Sequence, residues 1–250
     1  TSGNIAVGDE EVVRFMHFIN GFNQLFNNSA DQVINEKYAE IRNFLKEKKD
    51  GDMDIRDILT IKGLIRRGEA RTACTYNNIP LERCHFLDLP FYETGKIQKN
   101  PISEADVEIV RNLLREVKPH QIFVAGDLAD PHGTHRVCTD AVFAAVDLEK
   151  EEGAKWLKDC RIWMYRGAWA EWEIENIEMA VPISPEELRA KRNSILKHQS
   201  QMESAPFLGN DERLFWQRSE DRNRGTATLY DQLGLASYEA MEAFVEYVPL

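Results

Sequence analysis

At roughly 150 residues per domain, 250 residues fit one large domain or one domain with an extension better than two equal domains. A hydrophobic share of 43% is enough for a core without disulfides, which excludes global disorder. Against 42 Asp+Glu there are 31 Lys+Arg, and the net charge of -11 repels a phosphate backbone, so no nucleic-acid partner is expected.

Charges interrupt every apolar run well short of the roughly 18 residues a bilayer-spanning helix needs, so no membrane partner is expected either. The opening Thr1-Ser2-Gly3-Asn4 has neither the basic start nor the apolar core of a secretion signal. Cys74, Cys84, Cys138 and Cys160 are scattered, without C-x-x-C spacing. These features predict a soluble, cytoplasmic protein with reduced, buried thiols.

From the amino end, residues 10–26 carry apolar side chains on more than one face, as a helix buried between layers would. Helical spacing returns over about 31–48 and again over 55–76. The pattern then changes. Residues 84–89, closed by Pro90, and 121–126 (QIFVAG) read as buried parallel strands. Between them Ser103 caps a helix, with Asp106 at the position that returns the bond. Residues 134–152 give the next helix, 160–165 (CRIWMY) the next strand and 177–183 a further one. Ser184-Pro185-Glu186-Glu187 starts a helix reaching about Met202. Residues 211–222 and 226–233 are shorter helical candidates, and 243–248 is a closing strand. The alternation predicts an α/β fold: a Rossmann-like three-layer α/β/α arrangement with a mainly parallel sheet. Residues 1–250 read as one domain, with 203–250 a C-terminal helical extension and closing strand.

In such a sheet ligands sit beyond the carboxyl ends of the strands. After QIFVAG comes Asp127-Leu128-Ala129-Asp130-Pro131-His132-Gly133-Thr134-His135, which places two histidines three residues apart at that turn. Neutral imidazoles suit zinc, but a catalytic zinc takes three protein ligands and no other His stands in a comparable loop. The alternative is that Asp130-Pro131 caps a helix and both histidines are turn residues. His17, His85, His120 and His198 lie within or beside helices and strands, where structural roles are the simpler reading. Trp169 and Trp172 fit either a sugar-stacking surface or a core, and Lys191, Arg222 and Arg224 either a phosphate site or a solvated face.

Four stretches in order resemble the zinc-dependent N-deacetylases of the PIG-L/LmbE-like family. Asp130 to His135 is similar to its His-Pro-Asp-His motif, and Arg66-Arg67-Gly68-Glu69-Ala70-Arg71-Thr72-Ala73 to its Arg-x-x-Glu-x-x-x-Ala helix. His85 to Pro90 followed by Gly95 resembles its Phe-Leu-x-x-Pro strand end, and Lys191 through His198-Gln199-Ser200-Gln201 its Lys-x6-His-x-Ser-Gln helix. The resemblance implies a zinc cofactor with His135 as ligand, His132 steadying the tetrahedral oxyanion and Asp130 orienting a histidine. It also implies that Arg66 and Glu93 contact substrate. Thr134 stands where the family commonly has Asp.

The family's His-Pro-Asp-Asp motif is not in these 250 residues. The resemblance therefore implies that it lies upstream of residue 1, on a strand-helix-strand missing from this chain. The wording of SGNIAVGDEEVVRF and AGDLADPHGTHR is similar to a subgroup in which this domain follows a glucosamine-6-phosphate deaminase-like domain. The implied reaction is deacetylation of an N-acetylglucosamine-type amino sugar or its 6-phosphate, with that deaminase-like domain as partner and self-association compatible. A noncatalytic sugar-phosphate-binding or interaction domain is the competing expectation.

Overall fold

The computed structural model describes residues 1–26, 32–96, 98–126, 133–168, 170–202 and 211–248. They divide into two compact units. The first draws on Thr1–Asp88, Tyr92–Lys99 and Lys197–Ser204, the second on Leu89–Phe91, Asn100–Leu196 and Ala205–Leu250.

The first unit is helical, with α1 (Asp9–Leu25), α2 (Gln32–Glu47) and α3 (Arg56–Tyr76). Val12, Ile41 and Ile58 form its core, flanked by Met16, Phe44, Leu45, Ile55 and Ile61. Beside this core Lys48 and Lys62 each bridge Asp9 and Asp54, with all four contacts at 2.5–2.8 Å. This closed ring ties the starts of α1 and α3 to the segment after α2. Lys62 is only 4% exposed, so its charge is sustained by the two carboxylates rather than by water.

Helix α1 departs from the expectation of burial between layers. Within its unit only Val12 is fully enclosed, while Phe18, Leu25 and Phe26 are exposed and Phe22 is half-exposed. The Phe18, Phe22 and Phe26 rings follow one another along one flank, with centroids 6.2 and 4.6 Å apart. The four-residue spacing that brings them together also carries them off the Val12 side.

The second unit holds α4 (Glu104–Val117), β1 (Gln121–Ala125), α5 (Thr134–Glu151), β2 (Arg161–Tyr165), β3 (Met179–Ile183), α6 (Pro185–Ile195), α7 (Phe215–Gln232) and β4 (Ala240–Tyr247). Two capping boxes start helices where the sequence places them. Asp106 accepts from Ser103 N and Oγ at 2.9 and 2.5 Å, and the Ser184 and Glu187 side chains exchange bonds with each other's backbone N–H. Asp106, fully buried, also accepts from Phe91 N at 2.9 Å. Ile162 and Trp163, successive residues of β2 and so on opposite faces of the sheet, are both buried, which means the sheet is covered on both sides there.

The sheet is mixed, not mainly parallel. In the order β1-β2-β4-β3, only β1 and β2 pair parallel; β4 pairs antiparallel with both β2 and β3. The cause is the last strand, which inserts between β2 and β3. Residues 84–89 form no strand, because Asp88 adopts a left-handed φ of 47° that breaks the extended path. The two short helices expected over 211–233 are one: Asn223 and Thr226, polar residues that read as a break, are buried in α7, which packs on β4. Helix α6 stops at Ile195, and a 3-10 turn follows at Gln199–Gln201. Among the described residues no helix is long and apolar enough to cross a membrane.

Candidate functional site

Arg56, Thr60, Gly63 and Arg67 recur at intervals of three and four along α3 and so form one stripe of the helix. That stripe makes one wall of a cleft of about 430 Å³, in the size range of small-molecule sites. Ser2, Asn4, Asp88, Glu93 and Gly95 complete it. All of these residues belong to the first unit.

Glu93 anchors the amino-terminal side. Its carboxylate accepts from Ser2 N and Ser2 Oγ at 3.0 Å each and from Asn4 Nδ2 at 3.5 Å. Arg67, also on the lining, pairs with Asp88. Three solvent-shielded atoms of these residues find no hydrogen-bond partner among the described residues: Asn4 Oδ1, Arg67 Nε and Asp88 Oδ1. Each such group costs about 1–3 kcal/mol.

Arg66 does not line this cleft. It points to a neighbouring cluster, with Nη1 2.6 Å from Glu69 Oε2, 3.4 Å from His198 Nδ1 and 3.5 Å from Ser200 Oγ. Glu69 also accepts from Ser200 N at 2.6 Å and from Ser200 Oγ at 2.8 Å. Two stretches about 130 residues apart in the sequence therefore meet through Arg66, Glu69, His198 and Ser200. Burial, and then the nearby Arg66 charge, lower the His198 pKa despite Glu69, which favours the neutral imidazole. Residues 2–4 connect cluster and cleft. Ser2 and Asn4 bond to Glu93, while Gly3 lies against Arg66 with φ 67°, where an added Cβ would sit 3.2 Å from Arg66 Nε.

Of the two expected turn histidines, His135 is exposed in the first turn of α5; His132, Asp130 and Asp127 lie outside the described residues. Among the described residues no group of three or more His, Cys, Asp or Glu is placed to hold a metal ion. The donor set for zinc is thus not assembled by them. Trp169 is likewise outside the described residues; the Trp172 ring is covered by the Arg166 guanidinium 3.8 Å from its centroid.

Lys191 and Arg222 are both engaged in ion pairs within the second unit. Lys191 Nζ lies 2.7 Å from Asn223 Oδ1 and 2.5 Å from Glu242, and Arg222 pairs with both Glu171 and Glu242. Arg224 pairs with Glu239. The thiols are free and half-buried. The sequence reading missed Asn4, Arg67, Glu69 and Asp88 as site residues. The α3 stripe was the available signal for Arg67, but nothing local pointed to Asn4.

Residues 29–146 match the family model described as PIG-L: GlcNAc-PI de-N-acetylase. A putative glucosamine-6-phosphate deaminase-like protein of Bacteroides thetaiotaomicron is 95% identical over all 250 residues, which span 38% of that relative's length. A crystal structure of the conserved protein TT1542 from Thermus thermophilus is similar at 18% identity and a TM-score of 0.48, over 75% of this chain and 74% of that one.

Proposed function

We propose, from the match of residues 29–146 to the PIG-L family model, that the chain serves metal-dependent hydrolysis of the N-acetyl group of an N-acetylglucosamine-type sugar or its 6-phosphate. The observation that carries the reading is the α3 cleft, lined by the polar side chains of Asn4, Arg56, Arg67, Asp88 and Glu93.

In this proposal these residues bind and orient. Asn4, Asp88 and Glu93 offer polar groups to ring hydroxyls, and the exposed part of the Arg67 guanidinium donates to a ring or hydroxyl oxygen. Arg56, on the same stripe, supplies a second cation for a 6-phosphate. Hydrogen bonds to charged groups contribute about 1.5–3 kcal/mol each, or roughly ten- to a hundredfold in affinity. Arg66 is held by Glu69 and Ser200 at the edge of this surface. His132 with Asp130 keeps the oxyanion role that the resemblance gives it, and His135 the metal role. Zinc, if bound, would be held in part by His135 and would supply the activated water for amide hydrolysis. The name of the Bacteroides relative supports a link to amino-sugar deamination, which would use the freed amine.

A binding-only role is the second reading. It is favoured by the cleft's assembly from the first unit alone. Acetate release from N-acetylglucosamine and its 6-phosphate, measured on the full-length Bacteroides relative, separates the two. The proposal expects release, with KM raised roughly ten- to a hundredfold by the substitution matching Arg67→Met and kcat little changed. Binding without acetate release supports the second reading, and neither binding nor release contradicts both.

A further inference from the structure

Cys74, near the end of α3, is seven residues past Arg67 and three past Arg71, so all three side chains share one stripe of the helix. The segment after it returns alongside. Ile79 N bonds Cys74 O at 2.9 Å, and Cys84 N bonds Leu81 O at 3.0 Å. The stripe then meets residues 88, 86 and 84 in turn. Arg67 pairs with Asp88, and the Arg67 and Arg71 guanidinium groups lie 5.5 and 5.3 Å from the Phe86 ring centroid; continued by one more step, that register sets Cys74 beside Cys84, whose thiol contributes to raising the Cys74 pKa. Cys84 Sγ itself donates to Pro80 O at 3.6 Å. Ionic at one end, cation-π in the middle and dithiol at the other, these contacts bind one face of α3 to one face of the returning segment.

We propose that Cys74 and Cys84 are a redox-modifiable pair, and that their oxidation to a disulfide fastens the 84–88 segment, with Asp88 at the cleft, against α3. The oxidant is a low-molecular-weight disulfide. One protein thiolate attacks its S–S bond and expels a small thiolate, which takes up a proton. The second protein thiol then loses its proton and attacks the protein sulfur of the mixed disulfide, expelling the other small thiol. The reagent's S–S bond is reduced and the protein loses two hydrogens. Burial, and then the neighbouring Cys84 thiol, push Cys74 up, so the closure speeds up from pH 7 to pH 9 as the thiolate forms. The inference does not depend on what the cleft binds.

Trypsin cuts after Arg71, Arg83 and Lys96, which puts the two cysteines on separate peptides, 72–83 and 84–96. After treatment of the chain with oxidised glutathione, the proposal expects these peptides linked in a non-reduced digest. Linkage should be lost with Cys84→Ser and kept with Cys160→Ser. Amide exchange over 85–88 should slow about tenfold on oxidation and recover with reductant. Glutathione adducts without a 72–83/84–96 link would overturn the pairing. A link with unchanged exchange at 85–88 would overturn the fastening. The wild-type digest decides the first point even where a serine variant fails to fold.

Discussion

Arg66 and Arg67 are adjacent, yet one hydrogen-bonds Glu69 and the other lines the cleft. A helix turns about 100° per residue, so a motif quoted as consecutive letters does not say which of two neighbours faces a ligand. Glu93, singled out in the sequence by its place just before Thr94-Gly95, lines the cleft. Asn4 was not legible, because it meets Glu93 only when residues 89 positions apart are brought together. His198 read as structural, and its bond to Arg66 gives it a measurable signature. Its pKa is lowered by burial and by Arg66, so on acidification the unfolded chain takes up a proton before the folded one. Stability from this residue is therefore fully present above its ordinary value of 6.5 and is lost as pH falls through the lower folded value. Urea midpoints between pH 7.5 and 5 should fall in the wild type and fall less in His198→Gln. Parallel curves would exclude this role.

Among the elements, α4 was the most legible, because its start is written in four letters. Asp106 holds Ser103 and Phe91 in full burial, and Asp106→Ala should cost about 2–3 kcal/mol, read as a lower urea midpoint at unchanged slope. The ring of Asp9, Lys48, Asp54 and Lys62 was illegible, since its members look like solvated charges wherever they occur alone. Replacing Lys62 by Met leaves two carboxylates without their buried partner, and about 3 kcal/mol of destabilisation is expected. Apolar richness misled in the opposite direction on α1. Phe18→Ser should change stability by no more than about 0.5 kcal/mol in this chain, because 67% of Phe18 is exposed. A loss of about 2 kcal/mol would mean that the side chain is enclosed in solution.

Over the whole chain, the alternation of strands and helices announced an α/β fold, and the strand set over 121–247 largely followed it. What it did not announce was β4 entering between β2 and β3, since pairing partners far apart in the chain leave no local mark on either strand. The same holds for the meeting of Arg66 and Glu69 with His198 and Ser200. Recognition of an N-acetylated amino sugar by the α3 cleft can be read residue by residue, by titrating the 250-residue chain with N-acetylglucosamine while following its backbone amide resonances. Saturable shifts centred on Asn4, Gly63, Asp88 and Gly95 are expected, and they should vanish in Arg67→Met. Saturable shifts confined to the second unit, or none at millimolar sugar, would contradict recognition at this cleft.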